Sequence, residues 1–547
     1  MGYPEGVADI LPLTSAQQGM LFHSAGENEM HGQYVAVISC MLNGPLDTER
    51  LNVAMEALVH ARDALRAGFL WQGVKKPVQV VREKVSLPWT ELDWTARTDV
   101  EQGLKDLTKL EQTRQFDLKS PPLMAVTLIK LSDTRWQLVW TVHHLISDGW
   151  STGVAMRDLF DRYSGKQVAQ DTPNFKSHLV WLRKQEKLTD TDFWTDQFDG
   201  LENPSLLPEA DVSAVQTQTS ISASLGQDLM QQVERVSGQL KITTNTVLSG
   251  AWALTLRRLL QQDDVVFGTT TAGRPPEIPN IANAIGAFVN TLPVRCRIDP
   301  FLPVEAFLQD LGRAEIERRK HEYAALAEVL NCAPFPAGTA MFDMLFVNEG
   351  VAQTKFDFDE IRISDLTSTQ FSNYPLSFLV TPHSDLGVEV CFNPSRITDA
   401  AVRVILSDYE RLLAAITQDP NCRIRDLLKP QRDIAPVMAL PKAENLVTRF
   451  LRCAGDAPQS PALTDDAETL TYADVSLRAR QIAFALRQAG ARNGDVIPVA
   501  LPRGADAIAA FLGVMMSGAA YVPLDLDYPA DSIAQVLGTI EPKLIVT

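Results

Sequence analysis

Trp136-Gln137-Leu138-Val139-Trp140-Thr141-Val142-His143-His144-Leu145-Ile146-Ser147-Asp148-Gly149-Trp150-Ser151 is the stretch on which the reading of this chain turns. Its first part alternates as a strand does, and neighbouring side chains on a strand point to opposite faces. Trp136, Leu138, Trp140, Val142 and His144 therefore share one face, while Gln137, Thr141 and His143 share the other. The two histidines cannot both face one substrate. One is expected to be an acid/base or positioning group, and the other a structural histidine hydrogen-bonded beneath the loop. Asp148, in a partly buried turn, needs a cationic or hydrogen-bonding partner, and Arg66 is the expected one. Gly149 allows either a positive φ or a close backbone approach to a ligand, and its free amide could touch a developing oxyanion. The same spacing also suits a purely structural histidine pair with a capping Asp, and spacing alone does not separate the two. A metal is disfavoured, because the H-E-x-x-H spacing is absent and adjacent strand histidines diverge.

Outward from this stretch, helix and strand signals alternate. Thr14-Ser15 is expected to cap a helix carrying Met20, Leu21 and Phe22. Asp47-Thr48 opens a second, with Leu51, Met55, Leu58 and Val59 at helical spacing, running into Ala64-Leu65-Arg66. Gly153 to Tyr163 reads as a helix after the strand. From about Pro173 a second set follows, with helices at Asp228 to Leu240 and Thr244 to Leu260 and strands at Asp264 to Thr271 and Thr291 to Arg297. The chain is thus expected to be α/β in two halves, residues 1–172 and 173–428. Proline and charge then cluster between Leu428 and Lys442, which predicts a linker at 429–445 before a last segment, 446–547.

Composition narrows the function. The 547 residues carry 50 Lys and Arg against 67 Asp and Glu, a net charge of -17, which argues against nucleic acid or an anionic membrane as the partner. No window approaches the roughly 18 apolar residues of a membrane span, and the N-terminus lacks a signal-peptide pattern. A soluble cytoplasmic protein is expected. The six cysteines stand singly, without a C-x-x-C pair, and read as buried or free thiols. There is no G-x-S-x-G elbow, Walker A or G-x-G-x-x-G motif.

His143-His144-Leu145-Ile146-Ser147-Asp148-Gly149 resembles the H-H-x-x-x-D-G signature of nonribosomal peptide synthetase condensation domains, relatives of chloramphenicol acetyltransferase. Other segments fall in that family's order. Pro12 to His23 resembles its opening motif and Arg62 to Phe69 its second, with Ala67 where Thr is usual and Ala61-Arg62-Asp63 in place of Arg-His-Glu. Phe267 to Thr270 with Gly273-Arg274-Pro275, Ile285 to Arg295, and Asn373-Tyr374-Pro375-Leu376 match later motifs; His321-Glu322-Tyr323 matches loosely and carries no role. The resemblance covers about residues 10 to 430 and implies two acetyltransferase-like lobes forming a V-shaped pseudo-dimer around a tunnel.

By that resemblance His144 orients or deprotonates the acceptor's amine as it attacks the donor thioester, and Gly149 belongs to the catalytic loop. His143 and an Arg66–Asp148 salt bridge are structural. Trp150, Ser151 and Asn290 lie near the tunnel, with Asn290 alternatively a turn residue. No cofactor is expected on the chain itself: phosphopantetheine arms come from donor and acceptor peptidyl carrier proteins, which are the expected partners.

Leu470-Thr471-Tyr472-Ala473-Asp474 and Met515 to Asp525 resemble the first two core motifs of adenylation domains. No phosphate loop follows before Thr547, so a truncated adenylation fragment without amino-acid activation is expected, with part of its core exposed. The resemblance favours an elongation-module condensation domain. Gly19 to His23 and Asn290 to Arg295 look like the subtype taking a D-configured donor. An epimerase-type relative and a catalytically silent recruiting domain are the alternatives; the cyclising subtype is disfavoured because His143 is present.

Overall fold

The computed structural model describes residues 4–547 apart from 26–32, 167, 169–171, 186–189, 209–217, 337, 350–356, 359, 384, 429–444, 465–467, 527–529 and 541. The expected linker at 429–445 thus lies, but for Asn445, outside the described residues. The chain divides into two compact units, Met1–Val437 and Met438–Thr547.

The first unit is built on two six-stranded sheets. In the first sheet, Arg135–His143 runs antiparallel between Val35–Asn43 and Met124–Ser132, and Trp89–Asp93 adds a parallel edge to the latter. The alternation read from the sequence holds. Leu138, Trp140 and Val142 face a core that includes Met55 of the helix Thr48–Ala61 and Phe160 of the helix Gly149–Tyr163. On the opposite face Gln137 donates to the Ser39 hydroxyl at 2.8 Å, and Thr141 donates to Glu111 of the helix Val100–Gln112 at 2.7 Å. The strand ends at His143, one residue before the expected end, because the backbone N–H of His144 turns away to the Tyr34 carbonyl at 2.7 Å.

Helix starts follow the caps named from the sequence. Thr14 forms a reciprocal capping box with Gln17, and the Asp47 carboxylate accepts the Arg50 amide. The second helix stops at Ala61, and residues Asp63–Arg66 form a separate 3-10 turn instead of its continuation.

The second sheet runs in the order Asn290–Arg297, Asp264–Thr271, Met344–Asn348, Leu376–Pro382, Leu386–Phe392, Thr219–Ser224. The helix Thr244–Leu260 buries Trp252 against it, with the Trp252 and Phe378 rings stacked 4.4 Å apart. The two sheets do not follow a division at residue 172. Ile361–Gln370, well inside the second half, leaves its own sheet and pairs antiparallel with Val35–Asn43. Ile281, Ala284, Ile285 and Phe288 likewise pack into the first core.

The second unit carries a parallel pair, Val496–Val499 with Ala520–Pro523, joined through the helix Ala505–Met516. Thr471 and Asp474 form a capping box at the start of the helix Tyr472–Gln488. Leu477 and Phe484 on that helix are 58% and 66% exposed.

Candidate functional site

The loop His143 to Gly149 is built by the ends of three elements. The first sheet delivers both histidines to one edge, where each takes a different environment. His143 is buried, its Nδ1 accepts the Leu145 N–H at 3.1 Å, and its ring meets Phe116 edge-on. Burial, with His144 beside it, pushes its pKa down to about 3, so it stays neutral and acts as a structural acceptor under the loop. Gln17, itself buried, donates to the Leu145 carbonyl at 2.8 Å, so the opening helix supports the same loop.

His144 is half-buried and its Nδ1 lies 3.0 Å from the Ser147 carbonyl. A carbonyl only accepts, so Nδ1 carries the proton and Nε2 keeps its lone pair. Burial lowers the pKa of His144, opposed by the Ser147 carbonyl, by the Gln370 side chain and by the Asp148 charge. The ring is therefore a neutral base with a fixed tautomer at neutral pH.

Asp148 is the N-cap of the helix Gly149–Tyr163 and accepts the Ser151 amide at 2.7 Å. The expected Arg66–Asp148 salt bridge is not formed. Asp148 instead binds Arg274 of the second half, whose Nη2 donates to it at 3.2 Å, and it accepts the Phe288 amide at 3.0 Å. Both side chains of this pair are nearly excluded from solvent, at 4% for Arg274 and 7% for Asp148. The other nitrogen of Arg274 donates to the Ile281 and Ala284 carbonyls at 2.9 Å each, and the guanidinium lies over the Phe288 ring. Arg66 is turned elsewhere: it ends the 3-10 turn, pairs with Asp63 at 2.7 Å and donates to the backbone carbonyl of Arg82. The ionic link from this turn region to the signature helix is made by Arg62, which meets Asp158 at 2.5 Å.

Ser151 and Trp150 belong to the same joint. The Ser151 hydroxyl donates to the Gly286 carbonyl at 2.8 Å, accepts from Arg274 and is fully buried, which corrects its expected place beside substrate. The Trp150 indole donates to the Ala282 carbonyl at 2.8 Å. Gly149 is exposed, its φ is not in the positive region, and a Cβ there would meet no protein atom within 4 Å. Of the two reasons offered for a glycine, a positive φ is therefore not the one at work here. Asn290 donates to the Glu322 and Ala324 carbonyls at 2.9 and 2.8 Å, so its amide anchors a turn. It also lines a small cavity with Thr14, Ser15, His178, Phe288 and Tyr323.

Sequence reasoning gave no role to Arg274, Tyr34 or Gln370. Arg274 lay inside a recognised motif, and the demand of Asp148 for a cation was the signal that could have found it. Tyr34 adopts φ 62°, an uncommon conformation outside glycine, and its hydroxyl donates to Asn373 at 2.8 Å. Gln370 carried no signal.

Gly273 holds Arg274 in place with φ 60°, and a Cβ there would overlap the Phe288 carbonyl oxygen. Gly273→Ala is expected to lower stability by roughly 1–3 kcal/mol through backbone strain alone, and by more through the overlap. Urea unfolding checks it; an unchanged midpoint would show that this loop adapts freely. Among the described residues no group of three His, Cys, Asp or Glu could hold a metal ion, and no helix is long and apolar enough to cross a membrane.

The family model for the condensation domain matches residues 7–433, and that for the AMP-binding enzyme matches residues 450–547. One of the subunits of linear gramicidin synthase from Brevibacillus parabrevis is 32% identical over all of this chain and 11% of its own length. Surfactin synthase subunit 3 of Bacillus subtilis (strain 168) is 26% identical over 99% of this chain and 44% of its own. The chain therefore spans less than half the length of these relatives. Among solved structures, holo-AB3403, a four-domain nonribosomal peptide synthetase bound to AMP and glycine, matches over the whole chain and 44% of its own, with TM-score 0.67 and 20% identity. The first condensation domain of the calcium-dependent antibiotic synthetase, in complex with substrate analogue 3a, covers 77% of the chain and 99% of its own, with TM-score 0.67 and 18% identity.

Proposed function

Since the chain belongs to the condensation-domain family of nonribosomal peptide synthetases, with a partial adenylation region after it, we propose that it forms peptide bonds in an elongation module. The acceptor is the α-amine of an aminoacyl-S-carrier protein, and the donor is the thioester of a peptidyl- or acyl-S-carrier protein. The amine nitrogen bonds to the thioester carbonyl carbon, the C–S bond breaks, and the amine proton passes to His144 Nε2 and on to the leaving phosphopantetheine thiolate.

The observation that carries this reading is the fixed tautomer of His144, whose Nδ1 is held by the Ser147 carbonyl at 3.0 Å so that Nε2 is the proton acceptor. His143 supports the loop. Gly149, exposed at the start of the helix, offers an uncommitted backbone amide to the oxyanion. The phosphopantetheine arms reach the site from the carriers and are substrates here. A D-configured donor residue, a cytoplasmic location and use of the remaining adenylation domain of a longer synthetase belong to the same proposal.

Mass spectrometry after mixing the chain with loaded donor and acceptor carriers tests it. Condensed peptide is expected, faster with a D- than an L-donor residue. Epimerised donor without peptide, or carrier binding without turnover, would replace this reading by an epimerase or a recruiting platform. Residues 450–547 hold no Gly/Ser/Thr-rich phosphate loop, so amino-acid-dependent ATP–pyrophosphate exchange by this chain is expected to stay at background; exchange above it would refute that part.

A further inference from the structure

Tyr34 precedes Val35–Asn43, the strand that lies between the histidine strand and the crossing strand Ile361–Gln370. Val35 pairs with His143 on one side, and Ala36 with Gln370 on the other. A residue in an extended strand aims its N–H and C=O at the same neighbour, which is why opposed residues can exchange both bonds. Tyr34 splits them. Its carbonyl accepts the His144 N–H at 2.7 Å, while its own N–H donates at 2.9 Å to the carbonyl of Phe371, just past the crossing strand. The φ of 62° is the rotation that turns the two groups apart.

A left-handed tyrosine is strained, and such strain lasts only where the surroundings over-determine it. Here they do. Tyr34 is buried, and its hydroxyl donates to Asn373 Oδ1 at 2.8 Å. Asn373 Nδ2 in turn lies 3.4 Å from Nε2 of His23, in the last turn of the helix Ser15–Ser24. Asn373, which stands in a motif-like segment, is thus the lock on the Tyr34 side chain.

The place of His144 depends on this arrangement. Its ring is set by Nδ1 on the Ser147 carbonyl. Its main chain lies beyond the strand, which stops at His143, so the bond from its N–H to the Tyr34 carbonyl carries it. We infer that Tyr34 is a positioning residue for the base: its left-handed backbone, locked through Asn373, holds the His144 main chain where Nε2 meets the acceptor amine. This rests on His144 acting as the base.

Tyr34→Val and Tyr34→Asn, each in the full chain with loaded carriers, separate the backbone from the ring. Both remove the phenol, but a β-branched residue resists the left-handed region and asparagine accepts it. Tyr34→Val is expected to lower kcat about tenfold with KM unchanged, a loss that stays within the share of a general base. Tyr34→Asn should recover most of it. In a His144→Ala background Tyr34→Val should change the residual rate by roughly twofold or less, since its effect passes through the absent ring. Equal losses in the two variants, or a full Tyr34→Val loss without His144, overturn the positioning role. Absence of wild-type turnover would instead overturn the condensation reading. Hydrogen exchange then decides the positioning alone: residues 143–149 should exchange about tenfold faster in Tyr34→Val than in wild type, with Val35–Asn43 still protected, and equal exchange would refute it. Lost protection across Val35–Asn43 marks an unfolded variant, and Tyr34→Phe takes its place. With only the Asn373 bond removed, it should cost about threefold in kcat, or the same factor in exchange at residues 143–149, and no change in either overturns the inference.

Discussion

Asp148→Ala is expected to unfold the first unit at a stability about 3–5 kcal/mol below the wild type, the range typical of a buried ion pair broken from one side. The substitution leaves Arg274, 4% exposed, with a charge in an apolar setting beside Phe288. It also removes the acceptor of the Ser151 and Phe288 amides, each about 1–3 kcal/mol when stranded, although neighbouring losses do not add. The signature helix loses its cap and the joint between the halves loses its centre. All nine tryptophans lie between residues 71 and 252, so tryptophan fluorescence in urea reports on the first unit without interference from residues 438–547. The control is Asp148→Ala in an Arg274→Met background. If Arg274 is the partner, the double variant is more stable than the sum of the single losses implies. If Asp148→Ala is equally damaging with and without Arg274, the assignment to that arginine fails. Arg66→Ala, by contrast, should couple to Asp63 and not to Asp148.

His144→Ala should act on rate and spare the fold. Among the described residues its side chain bonds only the Ser147 carbonyl, and it stands just past the end of a strand, half-buried. General-base catalysis is worth about 10²–10⁴-fold, and the lower end is expected because a thioester is already activated and a neutral amine is a competent nucleophile. Holding both arms together continues to supply its share, so residual condensation is expected in the variant. The burial-lowered pKa of His144 gives the sign of the pH effect. The ring is neutral at neutral pH and is lost as a base only when protonated in acid, so the wild-type advantage over His144→Ala should shrink as pH falls. Condensation at the wild-type rate, with an unchanged unfolding midpoint, would remove His144 from the mechanism.

How much of this was legible beforehand depends on the range of each interaction. Thr14, Asp47 and the alternation from Trp136 to Val142 act over two to four residues, and those local signals placed the elements within a few positions. The helix after Asp148 starts at Gly149, earlier than Gly153, because the cap itself, not the apolar spacing, sets the first turn. The partner of Asp148 lies 126 residues away. Charge reasoning required a cation but could not choose between two arginines that both sit in motif-like segments. Gln370 was less accessible still. Ser364-Asp365-Leu366-Thr367-Ser368-Thr369-Gln370 has no apolar face to mark it as a sheet strand, since it lies toward the sheet's edge and is held by main-chain bonds to Val35–Asn43.

That crossing strand also orders events during synthesis. Val35-Ala36-Val37-Ile38-Ser39-Cys40-Met41-Leu42-Asn43 emerges from the ribosome about 320 residues before Ile361–Gln370, which at roughly 5–20 residues per second is a wait of some tens of seconds. Throughout it, a long, apolar strand presents an unpaired edge, the kind of template on which nascent chains aggregate. The first half cannot mature ahead of the second. A polypeptide released before residue 370 should therefore engage holding chaperones or precipitate, and nascent-chain length, not the sequence of the first half, should decide when that hazard ends.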